Sequence, residues 1–140
     1  MKQRETVRHI MTDELRTLNL HDGNLMDAKI IMEENHFRHL PVTSGNKLVG
    51  MISLTDIHRM SFGGSYGQED AIDTSIFSVL TVQQVMRDNP STINIQTTIK
   101  EAAELLSKEE FHALPVVDDS GKLEGIVTTT DLIKYLLEQY

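Results

Sequence analysis

A chain of 140 residues with 39% apolar side chains can bury one compact core or two very small ones, which excludes wholesale disorder. There is no cysteine, so disulfides and thiolate metal sites are excluded, and a reducing, cytoplasmic setting is the expectation. The net charge of −8 is uneven: residues 1–60 hold eight basic and eight acidic side chains, residues 61–140 five and thirteen. An acidic second half argues against a nucleic-acid surface, which needs a basic face.

The start, Met1-Lys2-Gln3-Arg4-Glu5, has charge but no apolar core after it, so no signal peptide is expected. No apolar run approaches the roughly 20 residues of a membrane span. From Val7 onward the chain carries one pattern twice. Val7-x-x-Ile10-Met11 is answered by Val82-x-x-Val85-Met86, 75 residues later. Thr17-Leu18-Asn19-Leu20 and Thr92-Ile93-Asn94-Ile95 alternate and predict short strands. A helix comes next: Leu25, Ala28 and Met32 in the first copy, Ile99, Ala102, Ala103 and Leu106 in the second. Thr98 and Glu101 have capping-box spacing, and the first helix is expected to stop near Asn35. Leu40-Pro41-Val42 and Leu114-Pro115-Val116-Val117 predict apolar strands. Turns at Ser44-Gly45-Asn46 and Asp118-Asp119-Ser120-Gly121 come after them, then return strands Lys47–Ser53 and Lys122–Thr128. Each copy ends in a further apolar-periodic run, so the order is β-α-β-β-α, twice.

The boundaries expected are residues 7–60 for repeat 1, 61–81 for a linker, and 82–140 for repeat 2. The linker opens on Phe62-Gly63-Gly64-Ser65-Tyr66-Gly67. It lacks the GxxxxGK[ST] pattern of a P-loop. Ile72, Ile76 and Leu80, with Phe77, predict a short amphipathic helix docked on the core. A unit of about 55 residues is marginal alone. The fold class expected is therefore α+β, two repeats packed as one body with pseudo-twofold symmetry. Exposed apolar helix faces mark interfaces; those of Leu25, Ile57 and Leu106 are expected to be exposed, and a homodimer to cover them.

The junction before each last helix carries the chemistry. Gly50-Met51-Ile52-Ser53-Leu54-Thr55-Asp56 and Gly125-Ile126-Val127-Thr128-Thr129-Thr130-Asp131 share one pattern: Gly, two apolar residues, a hydroxyl, two spacers and Asp. The hydroxyl and the Asp sit three apart, the spacing of a helix capping box. The same geometry suits a ligand. A helix start offers unpaired N–H groups to a phosphate, the hydroxyl adds a donor, and the Asp can accept from a ribose diol. Either reading satisfies this stretch taken alone.

Taken together, V-x-x-h-M, L-P-V and G-h-h-[S/T]-x-x-D, each present twice and in one order, resemble tandem CBS domains, the Bateman module, over roughly residues 7–60 and 82–138. No catalytic domain, transporter or kinase is expected beside them. The resemblance implies a stand-alone pair that binds AMP, ADP, ATP or S-adenosylmethionine in clefts between the repeats and regulates a partner in trans. It places ribose-binding Asp at Asp56 and Asp131, and the phosphate-side hydroxyl at Ser53 and Thr128. Basic residues before L-P-V, Arg38 and His39 in one repeat and His112 in the other, are implied to reach phosphates in the cleft whose Asp comes from the opposite repeat. Ala113 departs from that basic pattern. Thr17 and Thr92 are implied to offer backbone to the adenine edge. The Asp131 cleft is thus expected to prefer phosphorylated ligands, and the Asp56 cleft to carry less positive charge.

Other chemistry fits poorly. His36 and His39 are three apart without an H-E-x-x-H pattern, so no metal site is expected. No G-x-S-x-G elbow supports a hydrolase, and no enzyme is expected. Met26, Met32, Met51 and Met60 fall at core-like positions where methionine fills gaps. The alternative function is a ligand-free dimerising adaptor, for which cations such as Arg38 and His39 have no use.

Overall fold

A computed structural model describes residues 4–61, 79–108 and 112–140. Ile72, Ile76 and Phe77 of the expected linker helix, Phe111, and the side chain of Met60 lie outside the described residues. Among the described residues the architecture is α+β, with a four-stranded and a three-stranded sheet.

Two compact units form, Arg16–Pro90 in one, Met1–Leu15 with Ser91–Tyr140 in the other. In the first, β1 (Leu18–Asn19) leads to α1 (Leu25–Asn35), β2 (His39–Ser44), β3 (Lys47–Ser53) and α2 (Leu54–Ser61); α3 (Val82–Val85) and β4 (Arg87–Asp88) complete it. The sheet order is β1-β2-β3-β4. The second unit opens on a 3₁₀ turn, Val7–His9, then holds β5 (Ile93–Asn94), α4 (Ile99–Lys108), β6 (Ala113–Val117), β7 (Leu123–Thr128) and α5 (Thr129–Glu138), with sheet order β5-β6-β7.

The sequence repeats are therefore not the packing units. Each repeat's V-x-x-h-M opening packs in the unit of the other repeat. Glycine explains why. A Cβ on Gly125 would lie 2.7 Å from Met11 Sδ and 2.9 Å from the Thr12 carbonyl oxygen, and a Cβ on Gly50 would strike the Met86 side chain. Each methionine thus lies across a strand that only glycine leaves bare. Backbone bonds fix both openings. Thr12 and Ile126 exchange N–H···O bonds of 2.8 and 2.9 Å. β4 runs antiparallel to β3, pairing Met51 with Arg87 and Gly50 with Asp88.

The central strands β2 and β6 each hold a proline that donates no ladder bond. β1 pairs in parallel with Val42 and Thr43 only, and β5 with Val116 and Val117 only. Pro41 and Pro115 therefore fall where one side of the strand is unpaired, and both are fully buried. The same irregularity in register comes after each, between Val42 and Thr43 and between Val116 and Val117.

Local chemistry sets the helix and turn boundaries. Asn24 Oδ1 accepts from the Asp27 amide at 2.8 Å and starts α1. His36 takes φ 58 and ends it, one residue past Asn35. Thr98 Oγ1 accepts from the Glu101 amide at 3.1 Å and starts α4. In the β6–β7 turn Asp118 Oδ1 accepts from Ser120 Oγ (2.7 Å), Ser120 N (2.8 Å) and Lys122 N (3.0 Å). The Ser120 hydroxyl is the main cause that lowers the Asp118 carboxyl pKa.

One unit's core gathers Leu18, Leu25, Ala28, Met32, Leu40, Val42, Ile52 and Ile57 with Val82 and Met86. The other's gathers Val7, Ile93, Ala102, Leu114, Val116 and Val127. This corrects the expectation that Leu25 and Ile57 are exposed: each is 1% exposed, because α1 and α2 turn those stripes onto their own sheet. Leu106 is half-buried. Among the described residues the exposed large apolar side chains are others: Ile133, Leu136 and Leu137 on α5, Leu105 on α4, Ile30 on α1, and Val79 and Tyr140.

Candidate functional site

Parallel pairing of β1 with β2, and the antiparallel return of β3 into α2, bring several chain points to one sheet end. His39 is level with Ser53, and the Leu54 amide, first in α2, donates to the Arg38 carbonyl at 2.9 Å. Thr17 sits one residue ahead of the Leu18–Val42 pair, at the same end. The second unit repeats this. Ala113 is level with Thr128, the Thr129 amide donates to the His112 carbonyl at 3.1 Å, and Thr92 precedes the Ile93–Val116 pair. The candidate residues thus converge as two sets: Thr17, Arg38, His39, Ser53 and Asp56 in one unit, Thr92, His112, Thr128 and Asp131 in the other. Arg38, Thr17, Thr92 and His112 are exposed; His39, Ser53, Asp56, Thr128 and Asp131 are half-buried.

Both hydroxyls cap their helices. Ser53 Oγ accepts from the Asp56 amide at 3.0 Å, and Thr128 Oγ1 from the Asp131 amide at 3.1 Å. The carboxylates then part company. Asp131 closes a full capping box, Oδ2 accepting from the Thr128 amide at 2.9 Å, while Oδ1 accepts from Thr12 Oγ1 at 3.4 Å. Asp56 Oδ2 is buried with no hydrogen-bond partner and faces Arg87 Nε at 3.6 Å, an ion pair too long for a hydrogen bond.

Thr12 and Arg87 are residues that the motifs alone did not single out. The signal was there: each is the residue directly after V-x-x-h-M, 75 positions apart, and their strand partners Ile126 and Met51 are 75 apart as well. Each reaches the Asp of the opposite repeat because the openings are exchanged. Among the described residues no group of His, Asp and Glu could hold a metal ion. No described helix is long and apolar enough to cross a membrane.

The sequence matches the CBS domain family model twice, over residues 7–63 and 82–138. It is 31% identical over 136 residues to a CBS domain-containing protein of Dictyostelium discoideum, covering 94% of this chain and 91% of that one. It is also 31% identical over 113 residues to an uncharacterized protein of Methanocaldococcus jannaschii, covering 79% of this chain and 40% of that protein. Against several curated relatives the chain spans 40% or less of their length. Among solved structures it is similar to CBSX2 of Arabidopsis thaliana in complex with AMP, with TM-score 0.80, 28% identity, and coverage of 96% of this chain and 98% of that one.

Proposed function

The chain belongs to the CBS domain family, and from that premise we propose that it is a regulatory module that binds an adenosine-containing ligand and acts on a partner protein in trans. The observation that carries the reading is the paired sheet end, where a helix start, its hydroxyl and an Asp recur in both units. A structure 28% identical to it, CBSX2, was solved with AMP. Free N–H groups at a helix start favour a phosphate, and a carboxylate in the first turn accepts from a ribose diol. In this reading Asp56 and Asp131 take the diol, Ser53 and Thr128 stand on the phosphate side, Arg38, His39 and His112 add positive charge, and Thr17 and Thr92 flank the base. The ligand class is AMP, ADP, ATP or S-adenosylmethionine. The module works in the cytoplasm as a sensor and not as an enzyme.

The adaptor reading has one observation in its favour: both Asp131 oxygens already accept bonds within the chain. Melting the protein with and without millimolar AMP, ADP, ATP or S-adenosylmethionine separates the two. A ligand of the native state raises the midpoint by mass action. A midpoint unmoved by all four leaves the adaptor as the better account.

A further inference from the structure

The two Asp sites differ in the residue that the exchanged opening brings to the carboxylate, and at one of them that residue carries charge. At Asp131 the neighbour from the exchanged opening is Thr12, a neutral hydroxyl. At Asp56 it is Arg87. The Asp56 side chain is 13% exposed and that of Arg87 67%, so the guanidinium is a solvent-side arm lying over a largely buried carboxylate. Its Nε faces the Asp56 oxygen that lacks a hydrogen-bond donor. Hydroxyls reaching that oxygen must move Arg87 aside. Its exposure lets it swing without unpacking the core, since Val82 and Met86, not Arg87, anchor the opening there.

We propose that Arg87 is the internal counter-ion of the Asp56 site and makes that site selective for phosphorylated adenosine ligands. This rests on the adenosine-binding reading above. In the free chain Arg87 neutralises Asp56. A ribose diol displaces it, which forfeits the ion pair unless another anion takes the guanidinium. A ligand phosphate is such an anion, with a geometry that guanidinium matches. A neutral nucleoside offers none, so it binds against the ion pair without compensation. The site thus carries a cation, Arg87, that the sequence motifs did not single out, where less positive charge was expected.

The test uses the full chain carrying Asp131→Asn, which leaves the Asp56 site to be read alone, titrated calorimetrically with adenosine and with AMP. With Arg87 present, AMP is expected to bind about tenfold or more tighter than adenosine, as a charge-assisted contact allows. Arg87→Thr, which copies position 12, should tighten adenosine by up to about fivefold, the range of an exposed ion pair, and weaken AMP. Arg87→Gln is the second variant, should threonine disturb the strand, and is expected to act in the same direction. Adenosine is uncharged, so raising salt should tighten it only where Arg87 is present, by screening the competing pair. An AMP-to-adenosine ratio and a salt response unchanged by both variants, with Asp56→Asn still abolishing binding, overturn the proposal and leave the site reading standing. Absence of binding in every variant, Arg87→Thr included, overturns both.

Discussion

At the scale of single residues, the same atoms serve folding and binding. Thr128 and Asp131 exchange two hydrogen bonds that close the first turn of α5. Asp131→Ala removes half of that box and should cost about 1 kcal/mol of stability. In the ligand reading it also removes a charged acceptor for the ribose, which should weaken binding roughly ten- to a hundredfold. Asp131→Asn separates the two effects, because the amide oxygen can still accept from a backbone N–H while the charge is gone. The expected outcome is a near-native melting midpoint for Asn, a lowered one for Ala, and loss of adenine-nucleotide binding at that site in both, measured by calorimetry. Binding unchanged in the Asn variant would show that Asp131 is only a cap. Capping-box spacing was legible at both sites, but its completion at Asp131 alone was not. The side chains that meet the two carboxylates, Thr12 and Arg87, lie 119 and 31 residues away in the chain.

At the scale of elements, the repeated glycines test how the openings are held. Gly125→Ala places a methyl against the Thr12 carbonyl, whose residue is tied by two backbone bonds to Ile126 and cannot retreat alone. About 1–3 kcal/mol of destabilisation is expected, the usual cost of overpacking. The three atoms nearest a methyl on Gly50 all belong to the Met86 side chain, which is flexible and can repack. The cost of Gly50→Ala should be the smaller of the two. Urea unfolding of both variants checks the order, and a Gly50 variant less stable than the Gly125 variant would refute this account. Most elements were legible from periodicity and turn residues, because β-α-β-β-α units obey local rules of alternation, capping and glycine placement. The helix cap at Asn24 was missed: an asparagine beside Gly23 reads equally as a turn residue, and the two roles share one chemistry.

At the scale of the whole molecule, the exposed apolar side chains point to association. Ile133 is 53% exposed, Leu136 43% and Leu137 66%, all on α5. Side chains of that size grouped on one helix usually mark an interface, and a closed twofold dimer is the commonest form. Light scattering is therefore expected to give twice the 15.8 kDa of the chain. Ile133→Glu with Leu137→Glu should return it to the single chain without lowering the helical signal; a monomer in the unaltered protein would refute the expectation. The family, the doubled element order and the positions of the hydroxyl–Asp pairs can be read along the chain, because each depends on residues close together in it. Folding settles which opening packs on which sheet, which helix stripes face solvent, and which side chain meets each carboxylate. Those depend on contacts between residues far apart in the chain. Val7 to Thr12 and Val82 to Arg87 fit either sheet by pattern, since the two copies share the same methionine and the same glycine, and packing alone assigns each to the unit of the other repeat.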